Sequence, residues 1–593
     1  MGESDKPSAL RPISARITGG FWASRLETLV NATLPSQVEQ CERTGRIDNF
    51  RRAAGKTEKE FQGRYYNDSD VYKLMEALAL ARHPSATALL DALIPEIAAA
   101  QSPDGYINTH FAVDKAAERF TNLKDMHEMY CGGHLIQAGV AHHRATGRTD
   151  LLDVGQRFAD HLLSLFGPGK REGMCGHQEI ELALVALSRE TGKTEYLDLS
   201  KHFIDTRGRG LIGGSAYHQD HVPFRELTEP AGHAVRMLYY CMGAADVFAE
   251  TGDVSLMWTL TGLWDEMAGN RMYLTGGLGS RHSGESFGAA YELPNETAYA
   301  ESCAAVANVM WSHRMLQLTR DAKYAEVMER ALFNGTLAGI SLDGTKYFYV
   351  NPLADFAGEH RRQAWFDCAC CPPNIARLLA SIPDYLASES DDALWLHTYA
   401  DSTVPFSHGA VEQRTGYPWS GDVELRVLAD GEFSLQLRIP EWAEPQLKVN
   451  GKEYLAEPGR YAEVHRVWSR GDEVFLSLGM RARLVESHPY VQENIGKVAL
   501  MRGPLVYCFE GADNAADLRD IVMPGNASFT GLRNAELDVI ALRGHAGVIP
   551  AGDALYRESS RAARPGAVEV TAIPYYAWAN REPGQMAVWM RKG

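Results

Sequence analysis

The sequence is short of basic charge, of cysteine and of long apolar runs, and each shortage excludes something. Lys and Arg number 59 against 76 Asp and Glu, a formal net charge of −17. Such a surface repels phosphate backbones and anionic lipid, so nucleic-acid and membrane partners are not expected, while neutral ligands such as sugars stay open. No stretch of about 18 apolar residues occurs, so no transmembrane helix is expected. The opening MGESDKPSALRPISARITGG has no apolar core of the kind a secretory signal needs, which makes the cytoplasm the expected compartment. Nine cysteines in 593 residues are too few, and odd in number, for a disulfide framework. The missing G-x-S-x-G, H-E-x-x-H and Walker motifs exclude serine-hydrolase, zincin and NTPase chemistry. What remains, with 45% hydrophobic and 23% charged residues, is a folded chain long enough for roughly two to four domains.

The first two-thirds carries a recurring phrase. ATG at 145–147, ETG at 190–192, ETG at 250–252 and TRD at 319–321 each precede a segment with apolar residues at three- and four-residue steps. Further helical stretches are expected at 70–82, 86–100, 126–144, 177–190 and 232–250. Helical hairpins at irregular spacing, with long segments between them, suit a closed α/α barrel better than an open solenoid. After about residue 390, segments such as VELRVLADGEFSLQLRIPEW and QLKVNGKEY alternate apolar and polar residues, and Asn450-Gly451 is a hairpin signal. The fold class is therefore a multidomain one: an α/α barrel over 1–388, then antiparallel β-sandwiches over 389–490 and 491–593. The apolar strands of the last segment leave a homodimer open.

The densest chemistry lies in AWFDCACCPPN, where Cys368, Cys370 and Cys371 precede Pro372 and Pro373. The two prolines are read as rigidifying a loop that fixes the neighbouring thiols. A lone cysteine is usually a small buried hydrophobe. Three within four residues point instead to metal ligation. Upstream, Glu301 and Cys303 in AESCA share one face of an extended stretch, and Glu301, Cys303, Cys370 and Cys371 complete a tetrahedral zinc site. An all-thiolate knot of Cys303, Cys368, Cys370 and Cys371 is the bland alternative.

Glu285 stands on the Gly-dense segment LTGGLGSRHSGESFG, either as a general acid/base or as an ordinary solvated glutamate. His127 and His134 in HEMYCGGH, His177 in GHQEIELAL and His233 in EPAGHAVRML lie near expected helix starts. Singly each is a packing histidine; together they suggest one polar cavity, lined also by Tyr349, Tyr65, Tyr66 and Trp365.

The segments HSGESF, AESCA, CACCPPN, HEMYCGGHLIQAGVAH, GHQEIELALVAL, EPAGHAVR and YVNPL, spread over about 127–375, resemble those of bacterial β-L-arabinofuranosidases of glycoside hydrolase family 127; RIPEW and KVNG extend the likeness into the β region. The resemblance implies an (α/α)6 barrel followed by β-sandwiches, Zn2+ as cofactor, and retaining exo-hydrolysis of a carbohydrate, a terminal β-L-arabinofuranoside or a related furanoside. It implies Cys370 as nucleophile, Glu285 as acid/base, Glu301, Cys303, Cys370 and Cys371 as zinc ligands, and His127, His177, His233 and Tyr349 as sugar contacts. In physical terms retention needs a nucleophile and a proton donor flanking the anomeric carbon. The anionic zinc cluster is expected to raise the Glu285 pKa.

Three other readings stay open. One is a two-carboxylate glycosidase with structural zinc, using Asp367 or Glu301 as second carboxylate. The others are a sugar epimerase or isomerase, and a carbohydrate-binding scaffold without catalysis.

Overall fold

The computed structural model of the chain describes residues 9–550, 552, 554–556, 558 and 565–593. Six helices form an inner ring: Asp68–Leu80, Glu128–Thr146, Ile180–Thr191, Ala234–Thr251, Ser302–Thr319 and Cys371–Ala380. Each packs on the next, and the sixth packs back on the first. An outer layer covers them: Leu34–Arg43, Pro84–Ala99, Asp150–Leu165, Thr194–Thr206, Val254–Asn270 and Ala322–Arg330. The inner helices are buried nearly all round, as Ala234 to Phe248 shows. Outer helices such as Asp150–Leu165 bury one stripe only, through Leu151, Leu152, Val154, Phe158 and Leu162. Close approach needs small residues. A Cβ on Gly132 would lie 1.8 Å from the Phe158 ring of the neighbouring outer helix.

The recurring phrase marks the turn from an inner helix to its outer partner. Gly147, Gly192 and Gly252 end three inner helices at φ +72°, +72° and +68°, the left-handed cap that glycine adopts without strain. In the fourth, Arg320 takes that conformation at φ +62°. These turns are short, so the carboxyl ends of the inner helices share one mouth of the ring. The return connections (100–127, 166–179, 207–233, 271–301 and 337–370) are long, and all of them deliver the chain to the opposite mouth. No described helix is long and apolar enough to cross a membrane.

Two sheets follow, and both borrow from the amino terminus. The five-stranded sheet runs in the order Arg11–Ile13, Ala387–Glu389, Ala393–Leu396, Gly431–Ile439, Arg460–Trp468. The seven-stranded sheet ends on Arg16–Ile17, paired with Ser402–Phe406. The Asn450-Gly451 turn joins Val449 directly to its partner Lys452, with φ of +49° and +80°, the tight hairpin its sequence signals. In the third, ten-stranded sheet, Ala482–Val485 pairs with Lys497–Arg502, and Ala354–Asp355 from a barrel connection pairs with Met586–Ala587. Pairings across hundreds of residues leave no local pattern, and none was visible in the sequence.

The helical ring and the middle sheets share a buried ion cluster. Arg438, fully buried on strand Gly431–Ile439, reaches Glu326 at 3.0 Å and also pairs with Glu329, both on the outer helix Ala322–Arg330; its Nε donates to the His397 carbonyl at 2.5 Å. Removing one partner of such a cluster strands the other charges out of water. Arg438→Met is expected to lower the unfolding free energy by about 3–5 kcal/mol, measured by denaturant titration. A loss under about 1 kcal/mol, the usual worth of an exposed pair, would contradict this role.

Candidate active site

The long connections converge on a cavity of about 210 Å3 at the amino-terminal mouth of the ring. His127, His233, Glu301 and Cys370 are the residues immediately ahead of four inner helices. Helix starts present unpaired N–H groups and the positive end of the macrodipole, a setting that favours thiolate and carboxylate. Local structure differs from the sequence reading at two points. Cys371, Pro372 and Pro373 form the first turn of a helix rather than a loop, as suits proline where an N–H has no intrahelical partner. Glu301 is the extended residue (φ −59°, ψ 137°), but Cys303 already lies on the first turn of Ser302–Thr319.

Donor atoms of Glu301, Cys303, Cys370 and Cys371 all lie within 4.8 Å of one another. Sγ of Cys303 and Cys371 are 3.3 Å apart, and those of Cys370 and Cys371 3.8 Å. Glu301 Oε1 is 3.6 Å from Cys370 Sγ and 3.7 Å from Cys371 Sγ. Zinc bond lengths of about 2.3 Å to sulfur and about 2.1 Å to oxygen give tetrahedral edges of about 3.8 and 3.6 Å, so the four donors fit a tetrahedral ion. Their chemistry agrees. Burial, then Glu285 and Cys370, push the Glu301 carboxyl well up, and its Oε2 is buried without a partner. Burial also raises the Cys371 thiol. Burial opposes ionisation of Cys303 too, but hydrogen bonds from Cys370 and Cys371 outweigh it and bring this thiol down to about 6. Three buried acids and the half-buried Cys370 around one point are relieved by a bound cation.

Cys368 stands outside this set, 3.8 Å from the Tyr349 hydroxyl, so the all-thiolate knot is not the arrangement found. Cys370 is the one donor of the four that is only half-buried; it opens to the cavity, with Tyr349 Oη 3.2 Å from its Sγ. The connection that carries Tyr349 is held by the short helical turn that follows strand Gly566–Pro574 of the third sheet: the Tyr575 hydroxyl donates to the Pro352 carbonyl at 2.9 Å, and Arg362 donates to the carbonyls of Trp578 and Tyr576.

Glu285 faces the same cavity, and His233 Nε2 lies 2.8 Å from its Oε2. Burial works to raise its carboxyl, but His233 outweighs burial and holds it below the usual carboxylate range, aided by Tyr299 and Arg236. The sequence reading expected the zinc cluster to raise this pKa; the His233 donor, whose proximity no pattern along the chain records, acts in the opposite direction. Asp367, the other carboxylate considered, is 65% exposed and pairs with Arg64 at 2.6 Å, away from the cavity lining.

His127, His177, His233, Tyr349, Tyr65 and Tyr66 line the cavity; Trp365 does not and instead lies under Arg46. The main chain fixes the histidine tautomers. His127 Nδ1 donates to the Asp125 carbonyl and His177 Nδ1 to the Gln178 carbonyl at 2.8 Å, leaving both Nε2 atoms as acceptors. His233 is reversed: its Nδ1 accepts from the Val235 N–H at 3.2 Å, so its Nε2–H points at Glu285. Burial lowers all three pKa values, which keeps the imidazoles neutral.

His134 is elsewhere, fully buried on its helix with Nδ1 3.2 Å from Glu179 Oε1. Sequence reasoning did not single out Tyr130, Tyr217, Arg236 or Tyr239, which also line the cavity. For Arg236 a signal existed: a cation in the first turn of a helix opposes the dipole and wants another reason to be there.

A ring of helices with a cavity of neutral imidazoles, hydroxyls and the carboxylates of Glu285 and Glu301 beside clustered thiols defines a carbohydrate-processing enzyme. The comparisons with known proteins are specific. The family described as "Beta-L-arabinofuranosidase, GH127 catalytic domain" matches residues 14–384, its middle domain 393–480 and the family's C-terminal domain 482–591. The chain is 38% identical to the non-reducing end β-L-arabinofuranosidase of Bifidobacterium longum subsp. longum, over 98% of this chain and all of that one. It is 41% identical to the crystal structure of a GH127 β-L-arabinofuranosidase from Geobacillus stearothermophilus T6, with a TM-score of 0.93 over 98% of this chain and all of that one. A second solved GH127 β-arabinofuranosidase is 35% identical, with a TM-score of 0.92 over 98% of both chains. The chain belongs to glycoside hydrolase family 127 and is a hydrolase, as its resemblance implied.

The buried Glu179 makes one pH effect measurable. Burial pushes its carboxyl up to about 8, against about 4.3 when unfolded. The folded state thus keeps a proton that the unfolded state releases, so this group erodes stability as pH rises from about 4 to about 8. Glu179→Gln is expected to lose less melting temperature than the parent between pH 5 and pH 8. Parallel profiles would refute a protonated Glu179.

Proposed function

We propose that this chain is a retaining exo-glycosidase that releases a terminal β-L-arabinofuranose, with Cys370 as nucleophile and Glu285 as acid/base, on an (α/α)6 barrel followed by two β-sandwiches. The observation that carries the reading is the double character of Cys370: one of four clustered donors, yet the least buried of them, in the wall of the cavity that Glu285 also faces. The relatives named above supply the sugar. As domains we propose 1–388, 389–490 and 491–593, with Ala482–Val485 as an edge strand lent to the third sheet. Nine free cysteines suit a reducing compartment, the cytoplasm.

In the first step the Cys370 sulfur attacks the anomeric carbon while Glu285, which must first take up a proton because His233 favours its ionised form, gives that proton to the departing glycosidic oxygen. A C–S bond forms as the C–O bond breaks. In the second, Glu285 takes a proton from water, whose oxygen displaces the sulfur and restores the original configuration. Tyr349, beside Sγ, holds the thiol toward the sugar, and His233 holds the carboxyl in place. Glu301, Cys303, Cys370 and Cys371 would hold zinc, whose positive charge would favour the thiolate form of its sulfur ligands.

Cys370→Ser and Glu285→Gln are each expected to lower kcat on 4-nitrophenyl β-L-arabinofuranoside by at least about a thousandfold while the far-UV spectrum is kept. Glu285→Gln alone should show a burst of nitrophenol, because a good leaving group needs little protonation. An active Cys370→Ser enzyme would remove the nucleophile. Cys303→Ser is expected to purify without bound zinc by elemental analysis, and zinc retained in full would remove Cys303 from the ligand set.

A further inference from the structure

Among the cavity residues, Arg236 has so far entered only through its weak pull on the Glu285 carboxyl. It is 5% exposed, and no described carboxylate lies within ion-pair distance of it. Nη1 donates to the Gly176 carbonyl at 3.1 Å, and Nη2 lies 3.4 Å from His127 Nε2, which is an acceptor because its Nδ1 carries the hydrogen. The guanidinium carbon lies 4.3 Å over the Tyr217 ring, which fixes the plane of the fork. Nε is buried without any partner. A guanidinium taken out of water with an idle N–H carries a desolvation penalty that the resting protein does not offset, and a ligand acceptor relieves it.

His177 supplies the complement. Its Nδ1 is committed to the Gln178 carbonyl, so its Nε2 is a lone-pair acceptor in the same cavity, and its ring lies 5.6 Å from that of His127. A hydroxyl group accepts one hydrogen bond and donates another, the pattern that a guanidinium N–H and an imidazole lone pair leave open between them.

We infer that Arg236 is a specificity-determining residue whose guanidinium donates to one hydroxyl oxygen of the terminal sugar. This inference rests on the glycosidase reading above. It makes Arg236 a reader of a hydroxyl, and predicts that a sugar lacking that hydroxyl is rejected because a buried cation is left unpaired.

The test is a cycle between enzyme and substrate. Zinc-loaded wild type and Arg236→Gln are assayed on 4-nitrophenyl β-L-arabinofuranoside and on its 2-deoxy, 3-deoxy and 5-deoxy analogues. For one analogue the wild type should lose about tenfold to a hundredfold in kcat/KM. Arg236→Gln should lose that factor on the parent substrate and nothing further on that analogue. Independent losses that multiply for all three analogues overturn the proposal. Arg236→Lys keeps the buried charge, and so the fold, but not the planar fork; it should bind free L-arabinose at least about tenfold more weakly by calorimetry. An unchanged Kd also overturns the proposal. A wild type that leaves the parent arabinofuranoside intact yet binds L-arabinose through Arg236 brings down the hydrolase reading alone. Absence of arabinose binding in both proteins brings down both.

Discussion

The site depends on the parallel sense of the six inner helices. With their amino ends at one mouth, the ring presents unpaired N–H groups and positive dipole ends to a single cavity. His127, His233, Glu301 and Cys370 stand where those helices begin, and Cys371 and Cys303 lie within the first turns. Three thiols and a carboxylate can be gathered in a buried place only where the field and a cation both favour anions. Acidic groups at the other mouth, facing the carboxyl ends, would meet the opposite field.

The same geometry divides the connections into two kinds. Turns at the carboxyl ends only need to reverse the chain, and glycine in the left-handed conformation does so in a few residues. The returns carry the chemistry: Glu285 and Glu301 on 271–301, Tyr349 and Cys370 on 337–370. Those long segments need support that helices do not supply. Ala354–Asp355 finds it in a strand near the carboxyl terminus, and Arg362 in the carbonyls of Trp578 and Tyr576. The third sheet thereby helps set where Tyr349 meets Cys370.

Neutral histidines and one unpaired arginine give this cavity a defined hydrogen-bonding character. Because each imidazole's second nitrogen is tied to the main chain, donors and acceptors are assigned before any sugar arrives. A preorganised wall of this sort binds hydroxyl groups without paying for reorganisation. It also separates two roles among similar residues: His233 serves Glu285, whereas His177 keeps an acceptor free.

Sequence alone determined the helical hairpins and the β-rich remainder, and narrowed the metal-ligand candidates to Glu301, Cys303, Cys368, Cys370 and Cys371. Those features rest on local periodicity, on turn residues such as Gly147 and Asn450-Gly451, and on thiol density too high for packing. It did not disclose that Pro372 and Pro373 begin a helix, because proline is equally at home in a loop and in a first turn. Only the tertiary structure decided which way the Glu285 carboxyl is shifted, that Cys368 is left out of the cluster, that Asp367 is spent on Arg64, and that Arg236 is buried without a counter-charge. Each of these is set by atoms that meet across tens to hundreds of residues, and no pattern along the chain records a distance of that kind.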